Sequence, residues 1–463
     1  MRSGVRVWAR YCISMASINE TSTNTSNPGQ QPRFSSIPAS PSIAPWFQGA
    51  RRARLAGAHG LKKTIFEEVS DLARLHESVN LGQGVPDNDA PDEIVDIAQQ
   101  MLARGHHQYA PAAGVQDLRV AIAEHQQSWY RVTVDPDAQV VVTSGATEAI
   151  AAAVLAFARP GDNVVTFEPF YDAYAALTGF ARVELRTVPM VYDAQTGSFQ
   201  PDCEALAQAV DQNTRMIIVN DPHNPTGSVF SPDSRQAIVR AAIEASALIL
   251  SDEVYEHLVY NQKGDERLGL ANGFVPFAHT PGAWERTISV SSAGKTFSLT
   301  GWKVGWATGP AQLIDALRTV KQYLTFSTGP MFQPAIAHGL RLPREFFTRR
   351  AVQLGEKVNV LVDALEDAGA KVVRPRGGYF VLADMAPLGI EDATELAQVL
   401  PEKAGVAAVP VSAFTTPEFE GRFASYLRFA ACKDQASVEE GAKRLRTSLA
   451  DAARAVAGES AGR

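Results

Sequence analysis

Ser291-Ser292-Ala293-Gly294-Lys295-Thr296-Phe297-Ser298-Leu299-Thr300-Gly301-Trp302-Lys303-Val304-Gly305-Trp306 sets two lysines eight positions apart among small and aromatic residues. The run that leads into it, Thr287 to Ser291, reads as a short strand buried on both faces. A lysine kept from water beside a second cation has a lowered pKa and becomes a nucleophilic amine able to form a Schiff base. One of Lys295 and Lys303 can therefore react while the other binds phosphate. Two solvated surface lysines, the plainer alternative, fit poorly with so many apolar neighbours.

Upstream of this stretch the same rhythm recurs. Val140 to Thr143, Asn163 to Phe167, Met216 to Asn220 and Ala247 to Leu250 are short and mostly apolar, and helical patterns separate them. Such alternation from about Phe66 to residue 310 predicts an α/β layered fold. Ile94, Ile97, Ala98 and Met101 repeat at helical spacing after Pro91, with Asp92 and Glu93 in the first turn. After Pro330 longer helices take over, with strands at Lys371 to Arg374 and Tyr379 to Ala383, and Val438, Ala442, Leu445 and Leu449 predict a last helix. At 463 residues the chain exceeds what one core usually fills, so a second, smaller domain is expected here.

Ligands in open α/β sheets sit beyond the carboxyl ends of the strands. Three further strand ends carry polar residues. Ser144-Gly145-Ala146-Thr147 follows the first strand, and small residues at a helix N-terminus form an anion cradle or a plain turn. Asp221-Pro222-His223-Asn224-Pro225-Thr226-Gly227 is a turn stiffened by two prolines, which either aims Asn224 inward or lets it satisfy its own backbone. Asp252 and Tyr255 follow the strand at 247 to 250, and a carboxylate there needs a cation, from the protein or from a protonated ring nitrogen of a ligand.

Composition narrows the partners. The formal charge of −7 offers no basic field for nucleic acid, and no apolar run approaches the roughly 20 residues needed to span a bilayer. Small molecules are the expected partners. Cys12, Cys203 and Cys432 stand far apart without metal-type or redox-type pairing, which fits a reducing, cytoplasmic setting and no metal site. Residues 1–45 read as a disordered leader, with 16–45 rich in Ser, Thr, Asn, Gln and Pro, and Met15 is a second candidate start. No G-x-G-x-x-G follows an early strand, and no helix-turn-helix pattern precedes the globular part, so a dinucleotide dehydrogenase and a DNA-linked regulator are both disfavoured.

Taken in order, Ser-Gly-Ala-Thr, Asn-Pro-Thr-Gly, Asp-x-x-Tyr and Ser-x-x-Lys closely resemble the fold-type I aminotransferases, over roughly residues 60 to 450. The resemblance implies an α/β fold with a large domain, its seven-stranded and mostly parallel sheet lying between helices, and a smaller α+β domain. It divides the chain into 46–95 joining the small domain, 96–329 binding the cofactor, 330–455 as the small domain and 456–463 as a flexible tail. The cofactor it implies is pyridoxal 5'-phosphate, with Lys295 in imine linkage to its aldehyde and acting as the base once freed. Asp252 would keep the pyridine nitrogen protonated, while Asn224 and Tyr255 would bond the ring's 3' oxygen. Ala146, Thr147, Ser292 and Lys303 would hold the phosphate, Lys303 standing where many relatives have arginine. Tyr171 would stack on the ring, its alternative being an ordinary core aromatic. Arg428, in Tyr426-Leu427-Arg428-Phe429, would clamp the substrate α-carboxylate with help from the Gly84 backbone. A tyrosine matching Tyr109 reaches the phosphate of the neighbouring subunit in the family, which implies a homodimer with shared active sites.

Within the family, Asn80 to Asp87 and Ser-Ser-Ala-Gly-Lys-Thr-Phe look like the kynurenine, glutamine and methionine branch. Glu168-Pro169-Phe170-Tyr171-Asp172, Asp252 to Val259, Pro401 to Ala408 and Ser412-Ala413-Phe414 resemble actinobacterial N-succinyl-diaminopimelate aminotransferases more closely, although those commonly carry Ala-Lys-Met where Gly294-Lys295-Thr296 stands. The implied reaction is amino transfer between an amino acid and a 2-oxo acid, with lysine biosynthesis as its setting. A carbon-sulfur β-lyase would use the same lysine and cofactor.

Overall fold

The computed structural model describes residues 48–52, 56–57, 60–61, 63–87, 90–260 and 273–460; the expected leader at 1–45 lies outside them. Eight runs form one sheet: β1 (Val140–Thr143), β2 (Asn163–Glu168), β3 (Glu184–Asp193), β4 (Ser198–Pro201), β5 (Thr214–Asn220), β6 (Leu248–Asp252), β7 (Thr287–Ser292) and β8 (Gly305–Thr308). Their order is β1-β8-β7-β6-β5-β2-β3-β4. The ladder from β7 through β6, β5 and β2 to β3 is parallel, and β8 runs antiparallel to both of its neighbours. The central strands are buried along almost their whole length because helices cover both faces, which is why β1, β2 and β5 read as continuous apolar runs, while β7 alternates Ile288 and Val290 with small polar residues that are buried all the same. The sheet has one strand more than the expected seven: β4 pairs antiparallel with β3 at the edge, where Pro201 is tolerated.

Four helices matter for the site: α1 (Asp92–Ala103), α2 (Ala146–Phe157), α3 (Arg344–Asp367) and α4 (Gln435–Ser460). α2 starts where β1 ends. Ala149, Ile150, Ala152 and Ala153 sink into a core shared with Val141 and Val290, so small side chains bring the helix close to the sheet. A four-stranded antiparallel sheet follows, of β9 (Lys371–Val372), β10 (Phe380–Asp384), β11 (Val409–Pro410) and β12 (Tyr426–Ala430), in the order β9-β10-β12-β11. Val381 and Phe429 from this sheet, Leu361 and Leu365 from α3, and Leu445 and Leu449 from α4 share one core. Val79–Asn80 pairs with Val406–Ala407, tying the N-terminal segment to this part of the chain. α4 continues through Ser460 with Val456 buried, because the apolar stripe of Leu445 and Leu449 carries on through Ala452 and Ala453; residues 461–463 of the expected tail lie outside the described residues.

Candidate active site

The carboxyl ends of β1, β5, β6 and β7 open onto a cavity of 330 Å³. Lys295 enters it from a one-turn helix, Ala293–Thr296, directly after β7. Its Nζ donates to Tyr379 Oη at 3.0 Å, and Tyr379 Oη donates to the Gly84 carbonyl at 2.8 Å. A Cβ on Gly84 would stand 2.7 Å from Phe380 and 2.8 Å from Tyr379, so only glycine leaves that carbonyl within reach.

At the end of β6, Asp252 is 4% exposed. Its Oδ2 accepts from Tyr174 Oη at 2.6 Å, whereas Oδ1 is buried with no protein partner and the residue faces the cavity. Burial pushes the carboxyl up to about 6, against the opposing pull of the Tyr174 hydroxyl, the Val254 amide and the Lys295 charge. An orphaned carboxylate oxygen on a cavity wall needs a donor from a ligand. At the end of β5, Asn220 Nδ2 donates to the Asp252 carbonyl at 2.9 Å and its Oδ1 accepts from the Asn224 amide at 2.7 Å. That pair of bonds fixes the 221–227 turn against β6, with Asn224 and Tyr255 on the cavity wall.

The cradle after β1 is equally specific. Gly145 has φ +76°, and a Cβ there would lie 3.0 Å from Lys303 Nζ. A side chain on Gly305 would strike the backbone of Gly145 and Ala146 at 2.5 to 2.7 Å. Ala146, Thr147, Ser292 and Lys303 line one cavity, at the start of α2. Lys303 as a residue is exposed, yet its ammonium is enclosed enough that burial, followed by the charge of Lys295, lowers its pKa. The helix N-terminus and this ammonium make an anion site.

Arg428 is 2% exposed and has no carboxylate partner among the described residues. Its guanidinium sits 4.0 Å from the Phe380 ring centre and 4.4 Å from that of Phe414, donates to Gly82 O at 3.0 Å and to Asn224 Oδ1 at 3.3 Å, and leaves Nε unpartnered. Burial draws its pKa down to about 10, so a carboxylate brought here meets a cation already stripped of water.

Of the residues singled out from sequence, Gly84, Ala146, Thr147, Tyr171, Asn224, Asp252, Tyr255, Ser292, Lys295, Lys303 and Arg428 come together on this one cavity. Tyr109 does not. It is 83% exposed and packs edge-on against Phe326, with ring centres 5.3 Å apart. Sequence reasoning missed Asn220, Tyr174 and Tyr379, which hold the others in place; only the proximity of Tyr174 to Tyr171, one helical turn away, was a usable signal. Away from the cavity, His125 and His257 are buried with Nε2 atoms 2.7 Å apart, beside Glu256. Two ring nitrogens on one zinc stand roughly 3.3 Å apart, so this spacing is that of a shared proton.

The arrangement offers an amine beside a fixed phenol, an orphaned carboxylate, an anion cradle and a buried guanidinium. Comparison with known proteins gives it a context. The family model for aminotransferase class I and II matches residues 76–445. A probable N-succinyldiaminopimelate aminotransferase, DapC, of Mycobacterium tuberculosis is 42% identical over 82% of this chain and 95% of its own. The methionine aminotransferase of Escherichia coli is 36% identical over 83% and 96%, and kynurenine–oxoglutarate transaminase 3 of Bos taurus is 32% identical over 85% and 89%. The solved structure of the M. tuberculosis N-succinyldiaminopimelate aminotransferase superposes with a TM-score of 0.77, covering 83% of this chain and 97% of that one. The chain therefore belongs to the class I and II aminotransferases, transaminases of fold type I whose cofactor is pyridoxal 5'-phosphate.

Proposed function

We propose that the enzyme transfers the amino group between N-succinyl-L,L-diaminopimelate and 2-oxoglutarate or glutamate, within lysine biosynthesis. The observation that carries the substrate is the 42% identity to a relative of that name over 95% of the relative's length. The broader kynurenine, glutamine and methionine activity, and β-elimination from cysteine conjugates, are the alternatives, and the 36% identity to a methionine aminotransferase favours the first of these.

The cavity fits the cofactor. The orphaned Asp252 Oδ1 suits a protonated pyridine nitrogen, Asn224 and Tyr255 suit the 3' oxygen, Tyr171 suits the ring face, and Ala146, Thr147, Ser292 and Lys303 suit the phosphate. When bound, the cofactor supplies an aldehyde that takes up the amino group and a ring that accepts the electrons left behind when the α-proton departs. The protein does the rest. Arg428 and the Gly84 backbone hold the α-carboxylate, which fixes the α-carbon relative to Lys295. Lys295 Nζ removes the α-proton, and Tyr379 orients that amine by accepting one of its protons in a hydrogen bond. Phe380, Phe414 and Phe66 around Arg428 keep water from the carboxylate contact.

The same reading makes the protein a cytoplasmic homodimer in which Tyr109 reaches the partner's phosphate. Supporting it, Tyr109, Tyr323 and Phe326 are large and exposed, at 83%, 85% and 42%. No described helix is long and apolar enough to cross a membrane.

Mixing holoenzyme with single donors and following the visible band of the lysine-bound cofactor ranks the substrates. The succinylated diamino acid and glutamate are expected to bleach it at least about tenfold faster than kynurenine. The reverse ranking would assign the enzyme to the kynurenine and methionine branch. Tyr379→Phe is expected to lower kcat by roughly ten- to hundredfold, the value of one hydrogen bond to a charged group, with little change in KM. An equal rise in KM would instead show that Tyr379 acts in binding.

A further inference from the structure

A second cavity, of 530 Å³, meets the first at Lys295 and Tyr379, which line both. The segment beside Arg428 leads from one into the other: Gly84 and Val85 border the first and Pro86 borders the second. Two cations stand on its wall. Arg350 is half-buried, donates through Nη2 to Ser298 Oγ at 2.8 Å, and lies over the Phe346 ring at 5.5 Å. Lys357 is 7% exposed and donates to the Lys433 carbonyl at 2.7 Å. Neither forms an ion pair with a described carboxylate. Glu356, on the same wall, is exposed and pairs with neither. Burial lowers the pKa of both cations; the charge of Arg349 adds to the lowering at Arg350, and at Lys357 the charge of Arg350 adds to it against the opposing pull of Cys432, Asp434 and Asp87. Charged side chains are seldom buried unpaired, and a second cation on the same wall raises the cost further. An incoming carboxylate would relieve both, meeting spare donors of the guanidinium fork and of the ammonium.

We propose that this second cavity is a subsite for the carboxylate at the far end of the substrate side chain, held by Arg350 and Lys357, so that dicarboxylic amino and oxo acids are the preferred substrates. The inference rests on the aminotransferase reading of the first cavity. An α-carboxylate on Arg428 anchors one end, and the side chain follows residues 84–86 past Lys295 into the cationic wall. A neutral side chain would leave the two cations unpaired.

The test compares glutamate with methionine as donors to the holoenzyme and its Arg350→Gln and Arg350→Lys variants, alongside calorimetric binding of glutarate against butyrate. In Arg350→Gln the ratio of kcat/KM for glutamate to that for methionine is expected to fall ten- to hundredfold, the range for one charge-assisted contact. Glutarate affinity is expected to fall by a similar factor, butyrate affinity to change little, and Arg350→Lys to restore part of both. An unchanged donor ratio together with unchanged glutarate binding would overturn the subsite. The binding arm needs no turnover, so failure of every donor to react would count against the aminotransferase reading while glutarate still decides the subsite. If Arg350→Gln does not fold, Lys357→Gln carries the same comparison.

Discussion

Lys295→Ala is expected to stop amino transfer, lowering kcat by at least about four orders of magnitude, and to remove the visible band that an imine between lysine and cofactor gives. Two functions are lost together, the covalent attachment that primes the cofactor for exchange and the base that moves the α-proton. General-base catalysis alone is worth roughly 10² to 10⁴ in rate, which sets the floor. Because the Lys295 side chain is only partly buried and its contact is with Tyr379, removing it should leave the fold intact. Retained cofactor, measured after gel filtration, and an unchanged far-ultraviolet spectrum would therefore accompany the loss. Lys295→Arg keeps the charge yet cannot form an imine, and it is expected to be as inactive as alanine. Activity within tenfold of the parent enzyme in either variant would remove Lys295 from the chemistry.

Asp252→Asn has the second-largest expected effect, a fall in kcat of about a thousandfold, or roughly 4 kcal/mol of barrier. The carboxylate is the charge that keeps the pyridine nitrogen protonated, and asparagine can bond that nitrogen without stabilising its positive charge. Burial pushes Asp252 up to about 6 in the cofactor-free chain, so the sign of the pH dependence follows. As pH falls through that value the carboxyl takes up a proton and loses its charge. A cation at Oδ1 draws the pKa down again, so in the holoenzyme the acid limb should lie at or below pH 6 and disappear in Asp252→Asn. Rate profiles of both proteins from pH 5 to 8 check this. A parent-like acid limb in the variant would assign it to another group.

Lys295 and Asp252 were legible in the sequence for a shared reason. Each follows a short run of strand character, Thr287 to Ser291 and Ala247 to Leu250, and chemistry in α/β sheets gathers where such runs end. The apolar runs also gave the central strands, whereas β3 and β4 were hidden by Pro189 and Pro201, which interrupt a strand pattern in sequence; only Pro201 lies on the edge strand. β8 was concealed because Gly305 and Trp306 fall inside the stretch read for its lysines. Arg428 came from family resemblance, since nothing local marks it as different from any other strand arginine. Tyr379 was out of reach, and Tyr174 was signalled only by its nearness to Tyr171. They meet Lys295 and Asp252 across 84 and 78 residues, and a phenol entering a small-sheet strand or lying in a helix reads as core. Arg350 and Lys357 sit on α3 with nothing local to mark them, and the cavity they line is completed by residues distant in sequence, Pro86 and Gln435 among them.

The most direct test of the account is to reduce the holoenzyme with borohydride, digest it and locate the retained cofactor by mass spectrometry. The expected result is a phosphopyridoxyl group on Lys295 and on no other lysine. The same group on Lys303, or on neither residue, would contradict the account at its centre.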